Sequence, residues 1–308
     1  MNAGTIRTAL LLSVLACCVV VLTCVDARAD LSASQARRAM THIPGFELKS
    51  GAVRVKSISA SSASTAEVSA EIQTVFKFET DKQGRWRVAE IRTGPERWED
   101  IDLIASALGM QAAKGDCSAP DPRVRGKVTG DPNGPSVKRA RCLLGSLLGI
   151  EIPSDAIRIQ EVDSMPIPLA SQPSATVIAW VRVDARLTSD KRGWQVAELQ
   201  TGNRGWVKLE PLVAAVNEQK QKVARAELDL IARALEKFRK DRGFYVVSDK
   251  HAVAIDFLSP RYLARVIRID PWHQPYKYLG ERDHFTLRST GPDGKVDTPD
   301  DILLRESR

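Results

Sequence analysis

Histidine is scarce in this 308-residue sequence: His42, His251, His273 and His284 are all there is. None lies at the spacing of a metal-binding pair or of a recognisable acid–base constellation, so imidazole-based hydrolytic and metal chemistry has little to work with. No nucleophile elbow and no phosphate-cradling glycine loop occurs either. The chain is therefore expected to be non-catalytic. A dense basic run interleaved with aromatics is also missing, because the formal charge of +7 comes from 45 Lys and Arg scattered among 38 Asp and Glu. Nucleic-acid binding is not expected, since it needs cations gathered on one face.

Cysteine is sparse too, with five in the chain. Cys17, Cys18 and Cys24 fall in the uncharged run "TALLLSVLACCVVVLTCV", which Arg7 precedes and "ARAD" follows. Residues 1–29 read as a secretory signal peptide, with Ala27 and Ala29 spaced as a small-residue cleavage site. Two other readings stay open. "VLAC" ending at Cys17 resembles a bacterial lipoprotein box, which would tether the chain by lipid, and the uncleaved run is at the short limit of what spans a bilayer. Each reading places the protein in a bacterial envelope, periplasmic or secreted, with membrane contact only through this segment. Beyond it remain Cys117 and Cys142. In an oxidising compartment two cysteines point to one disulfide, with a pair of unlinked thiols as the alternative. The residues between them are rich in Pro and Gly, so a bridge would pin a loop that has little else to order it.

With 43% apolar residues the chain supports a buried core. Most of it reads as a duplication: "AVRVKSIS" (52–59) lies over "AIRIQEVD" (156–163), and "DKQGRWRVAEIRTGPERW" (81–98) over "DKRGWQVAELQTGNRGW" (190–206). Between these anchors Val68, Ala70, Ile72, Thr74, Phe76 and Phe78 alternate in one half. Val177, Ala179, Val181, Val183, Ala185 and Leu187 do so in the other. Period-two patterning predicts half-buried strands, each returning through a "DKQG" or "DKRG" turn as an antiparallel hairpin. A helical stretch precedes each hairpin and another starts near Trp98 or Trp206, while the serine run 57–64 reads as a loop. Each half is thus predicted to be a small α+β unit, helix, three strands, helix. Glu90 and Glu198 fall at matching places, and the expectation is that each carboxylate pairs with a nearby arginine such as Arg87 or Arg92 rather than forming a site.

From Gln219 the period changes: Val223, Ala226, Leu230, Ile231, Ala234, Leu235 and Phe238 mark an amphipathic helix, with Gly243 to end it. Pro211 suits the first turn of a helix, so a continuous run from there is expected. The predicted organisation is signal peptide 1–29, α+β unit 30–113, linker 114–137, α+β unit 138–216 and a C-terminal module 217–308.

That last module carries four ordered motifs: the helix "ARAELDLIARALEKFRKDRGFY", the turn "DPWHQPYKY", the strand "HFTLRS" and the loop "STGPDGKVDTPDDI". Together they resemble the major pseudopilin of bacterial type II secretion systems, over the last quarter to third of the chain. Val246 stands where the family has proline, and His273 where it has glycine. "GTIRTALLL" lacks the family's prepilin peptidase site and glutamate-bearing apolar helix, which counts against assembly into a fibre and leaves that question open.

The resemblance implies calcium in the final loop, held by aspartate side chains and backbone carbonyls. The residues themselves agree. Asp293, Asp297, Asp300 and Asp301 offer hard oxygen ligands, and Gly291 and Gly294 let carbonyls turn inward toward a cation that takes six to eight oxygens. Asp293, Asp300 and Asp301 are the expected side-chain ligands, with a carbonyl from Leu287 or Ser289; Asp297 has no clear family counterpart. The alternative is a solvated acidic turn. Asp270 and Trp272 are expected to fix the preceding turn. The function expected is a calcium-binding envelope scaffold that engages protein partners in secretion or pilus-like machinery. Its rival is a periplasmic module that uses the duplicated halves to bind a small ligand or cell-wall fragment.

Overall fold

The computed structural model describes residues 31–110, 117, 134–164 and 173–305. The expected signal peptide and most of the expected linker lie outside the described residues. Helix α1 (Ala33–Thr41) opens with a capping box, in which Ser32 and Gln35 satisfy each other's backbone N–H. Strands β1 (Val53–Ala60), β2 (Thr65–Thr80), β3 (Trp86–Arg92) and β4 (Trp98–Asp100) follow, then α2 (Ile101–Ala107). The second half repeats the order: α3 (Val137–Gly145), β5 (Ile157–Ser164), β6 (Ser174–Asp190), β7 (Gly193–Gln200), β8 (Val207–Lys208) and α4 (Leu209–Arg242).

All eight strands join one curled antiparallel sheet. Its spine is the pairing of β2 with β6 along their length, from Thr65 opposite Thr188 to Glu79 opposite Ser174. At the middle Ile72 faces Val181, and on their outer edges these two meet Val53 and Ile157. The alternation in the sequence marks each long strand but carries no sign that the two are each other's partner. The expected inward set is indeed turned to the core, with Phe78, Ala179 and Leu187 wholly buried. Ala36 and Met40 of α1 pack on one end of the sheet with Val68, Ala185 and Leu187. Ala140 and Leu144 of α3 pack on the other with Phe76, Phe78 and Val177. Cys142 of α3 is joined to Cys117 by a disulfide.

Two local expectations are corrected. Ser57–Ala60 is not loop but the second half of β1, paired with β2 after a bulge between Val55 and Ser57. The ladder uses backbone groups, so serine side chains do not prevent it. Short strands β4 and β8 also intervene before the helices α2 and α4.

Helix α4 is a single helix of 34 residues. Pro211 sits in its first turn, where an N–H would have no helical partner, and Gly243 closes it in the left-handed conformation at φ 82°. Leu209, at its start, belongs to the sheet core. Leu228, Ile231, Leu235 and Phe238 enter a separate core with Tyr245, Tyr276, Phe285 and Leu287. That core is completed by α5 (His251–Leu258) and a small sheet ordered β11 (Ile302–Arg305), β10 (Phe285–Ser289), β9 (Lys277–Gly280). Each fully buried large side chain contributes about 1.5–3 kcal/mol, so one helix is anchored in two cores. Among the described residues no helix is long and apolar enough to cross a membrane.

The joint between large sheet and C-terminal module is polar and specific. Lys220 of α4 bonds Glu99 of β4 at 2.7 Å, with 7% and 12% of the two side chains exposed. Trp272 donates its indole N–H to Asn217 at 2.9 Å. His273 donates from Nε2 to the carbonyl of Trp98 at 2.6 Å.

Inside the C-terminal core, His251 donates from Nε2 to the Ile267 carbonyl, leaving a buried Nδ1 without a partner. Burial, opposed by that bond and aided by the Arg268 charge, holds its pKa below the ordinary value of 6.5. A depressed histidine pKa means that the unfolded chain binds the proton more readily. Stability is thus intact above about pH 6.5 and falls as pH drops from there toward the folded-state pKa. Acid titration of the melting temperature should show this decline, and His251→Gln should flatten it in that window. An unchanged slope in the variant would assign the acid sensitivity elsewhere.

Candidate functional site

The acidic loop joins β10 to β11, and its entrance is fixed from below. Asp270, 3% exposed, accepts from the N–H groups of Trp272 and Gln274, each at 2.9 Å. Ser289, at the end of β10, donates its hydroxyl to the other oxygen of Asp270 at 2.5 Å. A buried carboxylate with three donors is well compensated. Asp270 and Trp272 therefore set the turn, as their position in the sequence implies.

Above this floor the carboxylates separate into two pairs. Gly291 has φ 62°, and a Cβ there would lie 2.5 Å from the Asp300 carbonyl oxygen, so Asp300 rests directly on it. Asp300 accepts from the N–H of Asp293 at 3.2 Å, while Asp293 accepts from Lys295 N–H at 2.8 Å and from the Thr298 hydroxyl at 3.3 Å. Thr298 foremost, with the Asp293 N–H, holds the Asp300 carboxyl below the usual carboxylate range. The second pair is Asp297 and Asp301. Both meet Arg288, at 2.6 and 3.1 Å, and Asp301 also accepts from the Asp297 N–H. One oxygen of Asp301 is buried and has no hydrogen-bond partner. Leu287 lies wholly buried in β10, opposite Tyr278 and Leu304.

Tested against calcium, the loop offers two carboxylates, Asp293 and Asp300, above a glycine turn where backbone oxygen approaches closely. The orphaned oxygen of Asp301 is a further acceptor of the hard type that calcium takes. Arg288 already neutralises Asp297 and the other Asp301 oxygen, a role sequence reasoning missed because the arginine sits in the strand before the loop. Among the described residues, the three side chains of metal-binding type whose ligand atoms lie within 4.8 Å of one another are Glu281 and Asp283, both exposed, and the half-buried His284, in the β9–β10 turn. The loop aspartates would have to draw closer to share one ion.

Glu90 and Glu198 also find partners, though not the arginines expected. Lys77 sits directly opposite Glu90 and pairs with it at 3.5 Å, and Arg186 sits opposite Glu198 and hydrogen-bonds it. The cross-strand neighbour is nearer than the neighbour in sequence. Burial works against the Lys77 ammonium, but Glu79 and Glu90 together hold its pKa above the ordinary value.

A long amphipathic helix feeding a small antiparallel sheet, with an acidic glycine loop before the last strand, is thus the frame of the C-terminal module. Residues 211–304 match the family model of type II secretion system (T2SS) protein G. The C-terminal module is therefore pseudopilin-like, and the match begins at Pro211, within the first turn of α4. No curated protein and no solved structure matched the chain. The large sheet stands outside the pseudopilin-like match.

Proposed function

We propose that this protein is a non-catalytic, calcium-binding component of a bacterial envelope, in which the pseudopilin-like module docks on protein secretion machinery and the large sheet presents a second interaction surface. The observation that carries the reading is the family match over 211–304 together with the acidic glycine loop inside it. On this reading the two halves of the sheet are copies of one unit, and the shared helix α4 transmits position between them and the docking module. Calcium would be held by Asp293 and Asp300 with backbone carbonyls of the loop, Asp301 adding its unpartnered oxygen, and would clamp β10 to β11.

Two measurements test it. Copurification of the tagged full chain from envelope fractions should bring down secretion-system proteins, and deletion of 211–304 should abolish this; recovery of none would overturn the docking role. Thermal unfolding in calcium, magnesium and chelator should show a rise of a few degrees with calcium alone, removed by Asp293→Ala and by Asp300→Ala. Identical melting in all three conditions would reduce the loop to a solvated turn.

A further inference from the structure

We propose that the cleft between α1 and the β6–β7 turn is a binding site for a phosphate-bearing ligand. The cleft measures about 540 Å³ and is lined by Gln35, Arg38 and His42 of the α1 segment, facing Arg192, Trp194 and Gln195 of the hairpin. No Asp or Glu lines it among the described residues. Arg38 pairs with no carboxylate among those residues, and Arg192 has only Asp190, at 3.6 Å from its Nε. His42 donates from Nδ1 to the Arg38 carbonyl at 2.9 Å, so Nε2 of the neutral ring is an acceptor, suited to a ligand hydroxyl.

A basic last turn alone would be ordinary, because cations complement the negative end of a helix. That accounts for Arg38 but not for Arg192, which lines the same cleft from a different element. Two guanidiniums lining one cleft from two different elements suit a phosphate-type oxyanion, because guanidinium offers paired N–H donors to phosphate oxygens. The cleft is larger than one phosphate. Trp194 and Pro44 supply an apolar wall for the rest of a phosphoester, and the two glutamines supply neutral donors. The ligand is a soluble phosphoester or the headgroup of an anionic lipid. The second source is within reach in sequence, since α1 begins shortly after the uncharged run that ends at Val25.

Isothermal titration of the full chain with inorganic phosphate and sedimentation with phosphatidylglycerol or phosphatidylcholine vesicles test the proposal and separate the sources. Arg38 and Arg192 are exposed, so Arg38→Gln/Arg192→Gln should fold, and its melting temperature would verify this. Wild-type protein should bind phosphate, and the double variant should bind at least about tenfold more weakly, because charge-assisted bonds are roughly twice as strong as neutral ones. Arg282→Gln, a distant exposed arginine, should bind as wild type does. An excess of sedimentation with phosphatidylglycerol over phosphatidylcholine that the double variant loses would assign the lipid. Phosphate binding without that excess would assign a soluble ligand. Absence of both signals, or signals indifferent to the double substitution, would overturn the site.

Discussion

Replacing Lys220 by alanine should cost about 3–5 kcal/mol, among the largest single-residue losses in this molecule, because it strands Glu99 as an unpaired buried carboxylate. The pair is nearly dry, and its two members come from elements far apart in sequence: Glu99 from the edge of the large sheet and Lys220 from the middle of α4. Denaturant unfolding of the full chain measures the loss directly. The double variant Lys220→Met/Glu99→Gln should recover much of it, since removing both charges removes the desolvation penalty along with the attraction. Equal losses in the single and double variants would mean that packing, not charge, holds the joint. Two transitions in Lys220→Ala where the wild type unfolds in one would show that the pair couples the unfolding of the sheet to that of the C-terminal module.

The same joint shows what the sequence discloses and what it withholds. Alternation in β2 and β6 made both strands and their inward faces readable, because a half-buried strand must place its apolar residues at every second position. Pro211 and Gly243 bounded α4 for equally local reasons. The pairing of β2 with β6 was not readable, since no turn links them and register between distant strands is a tertiary choice. α5 was missed because "HAVAIDFL" is apolar almost all round, leaving no period to detect, and β11 because it is four residues long. In the acidic loop, the turn formers and aspartates were plain, but their division into two pairs was not. It depends on Arg288 reaching out of β10 to Asp297 and Asp301.

His273 belongs to the same lesson. The resemblance leads one to expect glycine there, and the backbone keeps the conformation that glycine would favour, φ 67°. A histidine accepts that strain and in return bonds the Trp98 carbonyl of the large sheet. The local rule is broken where the module meets the rest of the chain, and the compensating contact lies 175 positions away.

Gly291→Ala should be nearly as damaging as the loss of Lys220, and its effect should be confined to the acidic loop. Two costs add. An L-residue at φ 62° pays about 1–2 kcal/mol for the left-handed backbone. The new Cβ would also stand 2.5 Å from the Asp300 carbonyl oxygen and 2.8 Å from one of its carboxylate oxygens, an overpacking of the kind that costs about 1–3 kcal/mol. The neighbour is backbone, so the clash cannot be relieved by a side-chain rotation; Asp300 itself must move. Asp297 provides the contrast: it holds φ 63° as an aspartate, a residue type that visits this region, with its side chain bonded to Arg288. Asp297→Gly should therefore change stability little, while Gly291→Ala should lower it by about 2–5 kcal/mol in chelator. If the loop holds calcium through Asp300, the deficit of Gly291→Ala relative to wild type should widen when calcium is added, because only the wild type gains binding energy. A deficit that stays constant with calcium would place Asp300 outside the metal site and leave Gly291 with a purely conformational role.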